Sequence, residues 1–446
     1  MNLTNIAKLF NSSCPSDTFI TGVCIDSRKV KPGNLFLALP GENFDGHNFI
    51  QSAVAKGAIA VVCNQANPLV DVPQFIVKDS FKALADLASY HRKSIHCPVI
   101  ALTGSNGKTS VKEMIASILP KPAHATPGNF NNHIGAPLSV LQLQPEHRYA
   151  VFELGANHLG EIAYTVAIVK PQVSLINNIA PAHIEGFGSI DGVARAKGEI
   201  YQGLSDDGIA VVNADDSYSH FWDEILINKK VLRFSLKNPA DIYPRELSYD
   251  SQGFAHFKLV LPMGHAKVKL GIPGEHTVRN ALAAAACCFA VGISINDIVE
   301  GLQQFRGVSG RMTFLNGKND SIIIDDTYNA NLHSVLTAVD VLATRQGRRI
   351  LVLGDLGELG AWTQQHHEEI GHAAYRQGID MLMTCGNQSE YSAHAFGTSA
   401  KHYKNQEELA QDLLAKLDKD TTVLVKGSRS AAMEKIVALV KDTEPN

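Results

Sequence analysis

Residues Thr103 to Thr109 read T-G-S-N-G-K-T and combine two glycines, a lysine and hydroxyl side chains in one short segment. An apolar run, Val99–Leu102, precedes them, and a helical pattern of apolar residues follows. A strand, a glycine-rich turn and a helix in this order form a triphosphate-binding loop, in which backbone N–H groups hold phosphate oxygens. The sequence therefore predicts that Lys108 lies near the outer phosphates of ATP and that Thr109 binds Mg²⁺. The predicted nucleotide-binding residues here are Thr103, Gly104, Ser105, Asn106, Gly107, Lys108, Thr109 and Ser110.

Bulk composition limits the class of protein. The 446 residues are enough for about three domains of ~150 residues each. The formal net charge of −4 shows no basic excess, so we expect no nucleic-acid partner. Seven cysteines without a C-x-x-C pair indicate reduced thiols rather than a disulfide framework. Because the N-terminus lacks a signal-peptide pattern and no apolar run is long enough to span a bilayer, we predict a cytoplasmic protein without membrane insertion.

The hydrophobic patterns predict an α/β fold in three domains. Residues 1–95 form a small α/β unit, and residues 96–308 alternate strands and helices in a central, mostly parallel sheet that carries the phosphate loop. Within this second domain, Val173–Ile179 is a predicted strand and Tyr243–Leu270 a predicted antiparallel segment. Residues 309–446 follow a βαβαβ pattern, typical of a Rossmann-like domain.

Two polar side chains follow apolar strands beyond the loop. Glu153 closes the run Tyr149–Phe152, and a carboxylate at the end of a strand beside a phosphate loop suits Mg²⁺, which prefers oxygen ligands. His183 follows the predicted strand that ends near Ile179. We therefore expect both residues at the ligand-binding edge of the sheet. The structural alternatives are a solvated glutamate and a hydrogen-bonded loop histidine.

Lys197 lies within a predicted helix, Ile190–Leu204, on the same face as its apolar residues, whereas Glu199 and Gln202 are predicted to face solvent. Burying a bare ammonium costs free energy, so such a lysine is paired, neutralised or modified. Desolvation favours the neutral amine, which can capture CO₂ as a carbamate. A carbamate is negatively charged and could bind a second Mg²⁺ beside His183. The alternative is a lysine whose ammonium reaches out to solvent.

Several motifs resemble those of the Mur ligase family, the ATP-dependent amide-forming enzymes of peptidoglycan synthesis. Leu102 occupies the position of the first glycine in the usual G-x-x-x-x-G-K-[ST] pattern, and the compact loop that results is similar to the loop of this family. The other matching motifs are G-N-F-N-N-H-I-G-A-P-L at 128–138, E-L-G-A-N-H-L-G-E-I at 153–162, N-N-I-A-P-A-H-I-E-G-F-G-S at 177–189, A-R-A-K-G-E-I at 194–200, D-D-T-Y-N-A-N at 325–331 and V-K-G-S-R-S-A-A-M-E at 425–434. The resemblance covers essentially the whole chain, and it is strongest to the branch that adds D-alanyl-D-alanine to UDP-N-acetylmuramoyl-tripeptide.

This resemblance implies a role for each catalytic and metal-binding candidate. Lys108 and Thr109 would hold ATP and Mg²⁺, and Glu153 and His183 would serve two Mg²⁺ ions. Lys197 would be the lysine that the family carbamylates. These residues would neutralise the charge that builds up during phosphoryl transfer.

The resemblance also implies contacts to the nucleotide. Asn280 would meet the adenine, Asp326 the ribose, and Arg311 would lie at a hinge and reach the phosphates on domain closure. Thr277 stands where the family often has asparagine, a departure close to the adenine contacts.

The N-terminal segments Asp26–Arg28 and Leu39–His47 resemble the UDP-sugar-binding loops of the family. The substrate-binding candidates in these and the other matching motifs are Ser27, Arg28, Gly41, Asp45, His47, Asn132, Tyr328, Asn329 and Asn331.

The implied reaction joins UDP-N-acetylmuramoyl-tripeptide and D-alanyl-D-alanine through an acyl phosphate, with ATP as the phosphate donor, in an enzyme that we expect to be monomeric. A sibling ligase that adds one amino acid, or a folylpolyglutamate synthase, is the nearest alternative, and the D-D-T-Y-N-A-N and F-G-S motifs disfavour both. A non-ligase ATP-binding switch is the alternative from another class. Such a switch has no need of the predicted metal-binding residues.

Overall fold

The structure is a computed structural model that describes residues 1–14, 16–41, 44–181 and 184–442, without the side chains of residues 184 and 185. The backbone packs into two compact units. The first comprises Met1–Ala101, Pro120–Ala156 and Gly160–Gln172, and the second comprises Leu102–Leu119, Asn157–Leu159 and the chain from Val173 onward.

The first unit contains a four-stranded parallel sheet whose two central strands, Asn34–Leu37 and Ala60–Cys63, are completely buried. Burial on both faces explains their continuous apolar sequences. The remaining strands of this unit are Gly22–Cys24, Gln74–Ile76, the parallel pair Ala123–Ala125 and Tyr149–Glu153, and the start of Val99–Thr103. Its α-helices are Leu3–Leu9, Ile50–Ala55, Ser80–Arg92, Gly135–Val140 and Glu161–Val169, with a 3₁₀ turn at Gly46–Phe49.

The second unit begins with the end of Val99–Thr103 and the helix Lys108–Ile118. Three parallel strands follow, Val173–Ile176, Ile209–Asn213 and Lys230–Phe234. Three antiparallel strands, Tyr243–Tyr249, Phe254–Leu261 and Gly264–Pro273, then precede the Ala-rich helix Glu275–Ala290. The other α-helices of this part are Ile184–Phe187, Ile190–Gln202, Asp223–Leu226 and Ile295–Gln304.

The C-terminal part of the second unit is a six-stranded sheet. Its edge strand Thr313–Asn316 pairs antiparallel with Ile322–Asp326, and every other pair is parallel. The remaining strands, in spatial order, are Thr421–Lys426, Arg348–Gly354, Met381–Cys385 and Ala400–Tyr403. Its helices are Leu332–Ala343, Thr363–Arg376, Glu390–Phe396, Gln406–Leu414 and Glu434–Val440, with 3₁₀ turns at Lys318–Asp320, Gly360–Trp362 and Arg429–Ala431.

The α/β class predicted from the sequence is confirmed, with a small N-terminal sheet, mostly parallel strands around the phosphate loop and a Rossmann-like C-terminal sheet. One strand is shorter than predicted: it ends at Ile176 rather than Ile179, and the residues that follow it contact the phosphate loop, as described below. The prediction that Glu199 faces solvent is wrong. Among the described residues, no helix combines the length and the apolar character needed to cross a membrane.

Candidate active site

The phosphate loop connects the strand Val99–Thr103 to the helix Lys108–Ile118, as the sequence predicts. Gly107 precedes the helix with φ of +77°, a left-handed conformation that favours glycine. A Cβ atom at this position would lie 2.7 Å from Asn177 Nδ2 and 2.8 Å from Asn280 Oδ1. Both the backbone and the crowded surroundings therefore require glycine here.

Asn177 and Asn178 hold the loop in place. The Ser105 N–H donates to the Asn178 carbonyl at 2.9 Å, and the Asn106 N–H donates to Asn178 Oδ1 at 2.8 Å. In return, both asparagine side chains donate to the Asn106 carbonyl at 3.0 Å. These bonds tie the residues that follow the strand Val173–Ile176 to the phosphate loop.

Lys108 lies at the start of the helix, where the helix dipole favours negative ligands. Its Nζ donates to the Gly104 carbonyl at 2.7 Å and contacts the Ser105 carbonyl at 3.4 Å. The ammonium is thereby held over the loop that is predicted to hold the phosphates. Thr109 and Ser110 follow in the first helical turn, and Ser110 lines the cavity described next.

A cavity of about 550 Å³ lies within the second unit, beside this loop. Its size is within the usual range of small-molecule sites. It brings together candidates that are distant in sequence, namely Asn106, Gly107, Ser110, Asn280, Arg311, Asp326, Tyr328 and Asn329. Within the described part of the chain, three residues of its wall carry a buried nitrogen without a hydrogen-bond partner: Asn106 Nδ2, His276 Nδ1 and Arg311 Nε. Buried polar atoms normally have partners, so these atoms indicate a site for a polar ligand.

His276 was not among the predicted site residues, although it begins the H-T-V-R-N motif that contains Asn280. Burial, together with the positive charges of Arg279 and Lys426, lowers the pKa of His276 to about 4. The imidazole is therefore neutral near pH 7. Asn280 is buried beside it in the cavity wall, and its Oδ1 accepts a hydrogen bond from Asn177 Nδ2 at 3.1 Å.

Asp326 is paired with Lys426, which belongs to the V-K-G-S-R-S-A-A-M-E motif and which the sequence placed at the end of a strand on the ligand-binding rim, without a role of its own. Lys426 lies opposite it on the neighbouring strand, is almost completely buried and donates to the Asp326 carboxylate. The same Nζ donates to the Asn329 carbonyl at 2.9 Å, and Asp326 Oδ1 accepts from the Met312 N–H at 3.1 Å. This network fixes the turn after strand Ile322–Asp326.

Arg311 packs against the same turn. Its guanidinium carbon lies 4.1 Å from the centroid of the Tyr328 ring, a cation–π contact, and the Tyr328 N–H donates to the Gly310 carbonyl at 3.0 Å. Asn331 caps the following helix in a capping box with Ser334, and its Nδ2 donates to Asn106 Oδ1 at 2.9 Å.

Lys197 is buried in the helix Ile190–Gln202, as the helical pattern predicts, with 2% of the residue exposed. Trp222 packs against Gly198 of this helix, and its Nε1 donates to the Ala194 carbonyl at 3.0 Å. Among the described residues, Lys197 Nζ has neither a hydrogen bond nor an ion pair, and its nearest aromatic contact is the Phe187 ring, 6.0 Å away. Burial and the nearby charge of Lys108 hold the pKa of Lys197 well below its usual value. His183 lies outside the described residues.

Glu153 belongs to the first unit, where 2% of the residue is exposed. Asn131 Nδ2 donates to its carboxylate at 2.7 Å, and its own N–H donates to Thr126 Oγ1 at 3.0 Å. Asn131 was missed by the sequence analysis, which selected its neighbour Asn132. Asn132 is exposed, and its Oδ1 accepts from the Gly135 N–H at 2.8 Å. Across the described part of the chain, no three His, Cys, Asp or Glu side chains gather as a metal site.

The N-terminal candidates are organised by local contacts. Arg28 donates to both carboxylate oxygens of Asp26 at 2.9 Å, and this partner lowers the pKa of Asp26 to about 2. Ser27, between them, is buried. His47 Nδ1 contacts Asp45 Oδ1 at 2.6 Å, while His47 Nε2 accepts from the Asn64 N–H at 2.9 Å.

Gly41 is exposed at the start of the second N-terminal loop. Residues 42 and 43 of the predicted UDP-sugar loop lie outside the described residues. The assignment of these loops to substrate binding stays a prediction.

Family models match three successive segments of the chain. The Mur ligase family catalytic domain matches residues 19–92, the Mur ligase middle domain residues 102–288, and the Mur ligase glutamate ligase domain residues 310–429. The chain is 43% identical over 450 aligned positions to the UDP-N-acetylmuramoyl-tripeptide--D-alanyl-D-alanine ligase of Escherichia coli (strain K12), covering 99% of this chain and 98% of that protein.

Solved structures agree with this match. A crystal structure of MurF from Acinetobacter baumannii superposes with a TM-score of 0.91 at 37% identity and covers 98% of both chains. MurF from Thermotoga maritima in complex with ADP superposes with a TM-score of 0.83 at 27% identity, covering 94% of this chain and 96% of that chain. The sequence motifs, the phosphate loop beside its cavity and these matches lead to one conclusion: the chain belongs to the Mur ligase family.

Proposed function

We propose that this protein is an ATP-dependent ligase that joins D-alanyl-D-alanine to UDP-N-acetylmuramoyl-tripeptide in peptidoglycan synthesis. The observation that carries this assignment is the 43% identity, over 99% of the chain, to a protein that bears the name of this activity. The phosphate loop and its adjoining cavity support the proposal, because such a ligase needs a nucleotide site.

In the first step, the terminal carboxylate of the tripeptide attacks the γ-phosphorus of ATP. A bond forms between the carboxylate oxygen and phosphorus, the bond to the bridging oxygen breaks, and ADP leaves with the electron pair. Lys108 and the backbone N–H groups after Gly107 stabilise the negative charge on the transferring oxygens. The helix N-terminus adds to this stabilisation.

In the second step, the amine of D-alanyl-D-alanine attacks the carbonyl carbon of the acyl phosphate. The new C–N bond replaces the C–O bond to phosphate, phosphate departs with the electron pair, and the amine loses one proton to the departing phosphate or to solvent. Water would hydrolyse the acyl phosphate, so the site must exclude it during this step.

Lys197 is the residue we propose to be carbamylated. Its buried position and the low pKa of its amine favour the neutral form that reacts with CO₂, and the carbamate would replace a costly buried positive charge by an anion. Mg²⁺ would supply charge neutralisation at the transferring phosphate. Thr109, Glu153, His183 and carbamylated Lys197 are the proposed ligands of two such ions.

For the nucleotide, we propose that Asn280 and the neutral His276 bind the adenine, because both line the cavity and His276 Nδ1 has no partner among the described residues. Asp326 would bind the ribose, and Arg311 the phosphates. The pairing of Asp326 with Lys426 supports a fixed position for its carboxylate.

We also propose the following division of the chain: residues 1–95 bind the UDP-sugar substrate, residues 96–308 bind ATP, and residues 309–446 close on the nucleotide and bind the acceptor. The candidates for the UDP-linked substrate are Ser27, Arg28, Gly41, Asp45, His47 and Asn132. The monomeric state and the cytoplasmic location stay predictions.

Product analysis tests the proposed function. Purified protein with ATP, Mg²⁺, UDP-N-acetylmuramoyl-tripeptide and D-alanyl-D-alanine should form ADP, phosphate and the UDP-linked pentapeptide in equal amounts. Leaving out either the tripeptide or the dipeptide should abolish pentapeptide formation. Release of AMP and pyrophosphate would contradict the acyl-phosphate route, because adenylation produces those products instead.

A further inference from the structure

The three-stranded antiparallel sheet of the second unit has one buried face and one outward face. Its strands are Tyr243–Tyr249, Phe254–Leu261 and Gly264–Pro273. Along the central strand, apolar side chains are buried at every second position, and the residues between them are half-buried. Because successive side chains of a strand point to opposite sides, these intervening residues lie together on the outward face. The proposed reaction makes no use of this face.

Cations occupy most of the outward face. The strand register places Arg245 opposite Lys258 and Lys258 opposite Lys267, so that three positive side chains form one row across the sheet. In the next row, His256 lies opposite Lys269. Like charges directly opposite each other destabilise a sheet, so the stability of the fold does not explain this row. An anionic partner that lies against the face would explain it.

Only part of this positive charge is neutralised within the described part of the chain. Glu246, at the irregularity of the first strand, pairs with Lys258, and Asp250 lies 3.6 Å from His256. Lys267 and Lys269 are exposed and have no ion pair among the described residues. The whole chain has a formal net charge of −4, so these cations are a local excess on an otherwise acidic protein. An anionic surface would therefore attract this face in preference to the rest of the chain.

The hairpin turn at one end of the face is apolar. Pro262 and Met263 form this two-residue turn, because Leu261 before it pairs with Gly264 after it. Both turn residues are exposed, and Met263 is 63% exposed. A hairpin tip with an exposed thioether can enter an apolar environment while the backbone of its strands stays hydrogen-bonded in the sheet.

The row of the sheet next to this turn is also amphipathic. It consists of Tyr243, Val260 and His265. The Tyr243 hydroxyl accepts a hydrogen bond from Arg245 Nη2 at 2.8 Å, which joins this row to the row of cations behind it. The order from the tip is therefore an apolar residue, an aromatic ring with a hydroxyl, and then positive charges. The same order runs from the acyl chains to the phosphates at the surface of a bilayer.

We propose that this basic face, with the rows Arg245–Lys258–Lys267 and His256–Lys269 and the Met263 turn, docks on the surface of a bilayer that contains anionic phospholipids. The cations bind lipid phosphates, and Met263 enters the boundary between the headgroups and the acyl chains. This docking is peripheral. Nucleic acid is another polyanion that the cations could bind, but it offers no environment for the exposed Met263.

Binding to lipid vesicles tests the role of charge. Wild-type protein should bind vesicles of phosphatidylcholine with about 30% phosphatidylglycerol at least tenfold more tightly than vesicles of phosphatidylcholine alone, since each lysine near an anionic surface contributes roughly a fivefold factor. About 0.5 M NaCl should remove most of this difference by screening. The triple variant Lys258→Gln, Lys267→Gln, Lys269→Gln should lose at least about tenfold in affinity for the anionic vesicles.

A matched triple variant controls for the change in net charge. Lys404→Gln, Lys419→Gln, Lys435→Gln removes three exposed lysines outside the basic face, and its affinity for anionic vesicles should stay within about twofold of wild type. Thermal unfolding checks that both triple variants fold. If the first does not, Lys267→Gln and Lys269→Gln carry the test as single variants, because neither lysine has an ion pair within the described part of the chain to lose.

The turn is tested separately. Met263→Ser should lower the affinity for anionic vesicles roughly 3- to 10-fold, because the apolar contact with the acyl chains is lost. Ile227→Ser replaces an aliphatic residue that is 80% exposed elsewhere in the second unit, and it should leave this affinity unchanged. Unchanged affinity in Met263→Ser would contradict the placement of the turn in the bilayer.

Three further results would overturn the proposal. Wild-type protein may bind neutral and anionic vesicles equally, or the two triple variants may lose affinity equally, which would assign the effect to net charge. Binding of a duplex DNA oligonucleotide without binding of vesicles would assign the basic face to nucleic acid. These measurements use neither ATP nor the UDP-linked substrate, so their results do not depend on the proposed function.

Discussion

Asn331 Nδ2 donates a hydrogen bond of 2.9 Å to Asn106 Oδ1, across 225 positions of sequence. Asn106 belongs to the phosphate loop, and Asn331 caps the helix Leu332–Ala343 at the rim of the C-terminal sheet. One side chain thus both starts a helix and joins the turn after strand Ile322–Asp326 to the loop beside the nucleotide cavity.

The two roles of Asn331 can be separated by substitution. Asn331→Ser should keep a capping oxygen but lose the reach to Asn106, and we expect the KM for ATP to rise about 2- to 10-fold with little change in thermal stability. Asn331→Ala should in addition lose about 1 kcal/mol of stability. Asn405 also caps a helix, Gln406–Leu414, where its side chain accepts from the Glu408 N–H, so Asn405→Ser and Asn405→Ala are controls for the loss of a helix cap. Unchanged ATP kinetics in Asn331→Ser would show that the contact has no role in nucleotide binding.

Gly107 offers a test of the loop geometry. In Gly107→Ala, the alanine would have to adopt a positive φ, and its Cβ would lie only 2.7 Å from Asn177 Nδ2 and 2.8 Å from Asn280 Oδ1. We therefore expect a loss of stability of about 1–3 kcal/mol and weaker ATP binding. Gly160 also precedes a helix with a positive φ of +87°, but a Cβ there meets nothing within 4 Å. The difference between Gly107→Ala and Gly160→Ala, measured by thermal unfolding with and without ATP, isolates the effect of the crowding. Equal losses in the two variants would contradict a tightly packed loop.

Lys108→Ala should lower kcat by roughly 100- to 1000-fold if, as we propose, the ammonium stabilises charge that builds up only in the transition state. The fold should remain intact by circular dichroism. Lys435→Ala, at an exposed position of the helix Glu434–Val440, controls for the loss of a lysine in general. A kcat near the wild-type value in Lys108→Ala would remove this residue from the reaction.

The features that could be predicted from the sequence are the local ones. The phosphate loop follows from neighbouring glycines, a strand and a helix, and the inward position of Lys197 follows from helical spacing. Pairings between distant segments could not be predicted in this way. Asp326 was identified from its own motif, but its partner Lys426 lies 100 residues further along the chain, and only the pairing of their strands brings the two together.

Strand ends and buried neighbours were missed for the same reason. The strand Val173–Ile176 ends where Asn177 and Asn178 bind the phosphate loop, a contact between segments about 70 residues apart. The burial of Glu199 was missed because a helical pattern shows which residues share a face but not what packs against them. Such packing is absent from the helical pattern itself.

The neutral state of His276 should be visible in the pH dependence of stability. The unfolded chain protonates this histidine near pH 6.5, whereas the folded protein does so only near pH 4. Between these values the unfolded state binds more protons, so stability should fall as the pH decreases through this window, by up to about 1.4 kcal/mol per pH unit. His276→Gln should remove this contribution, and the difference in Tm between wild type and variant, followed from pH 7 to pH 4.5, measures it. A constant difference across this range would show that His276 does not titrate in this way.

Lys197 should act through the negative charge of a carbamate. Lys197→Ala should be nearly inactive, and acetate should restore part of the rate by supplying an anion in the vacated space. Lys197→Arg should not be rescued, because a guanidinium fills the space with a permanent positive charge.

In the wild-type protein, CO₂-free buffer should lower the activity and bicarbonate should restore it. In addition, ¹³C-labelled bicarbonate should give a carbamate NMR signal that Lys197→Ala lacks. Lys112 is a second buried lysine, paired with Glu113 at 2.8 Å, so acetate should not rescue Lys112→Ala. Activity independent of CO₂, together with no labelled carbamate, would rule out the modification.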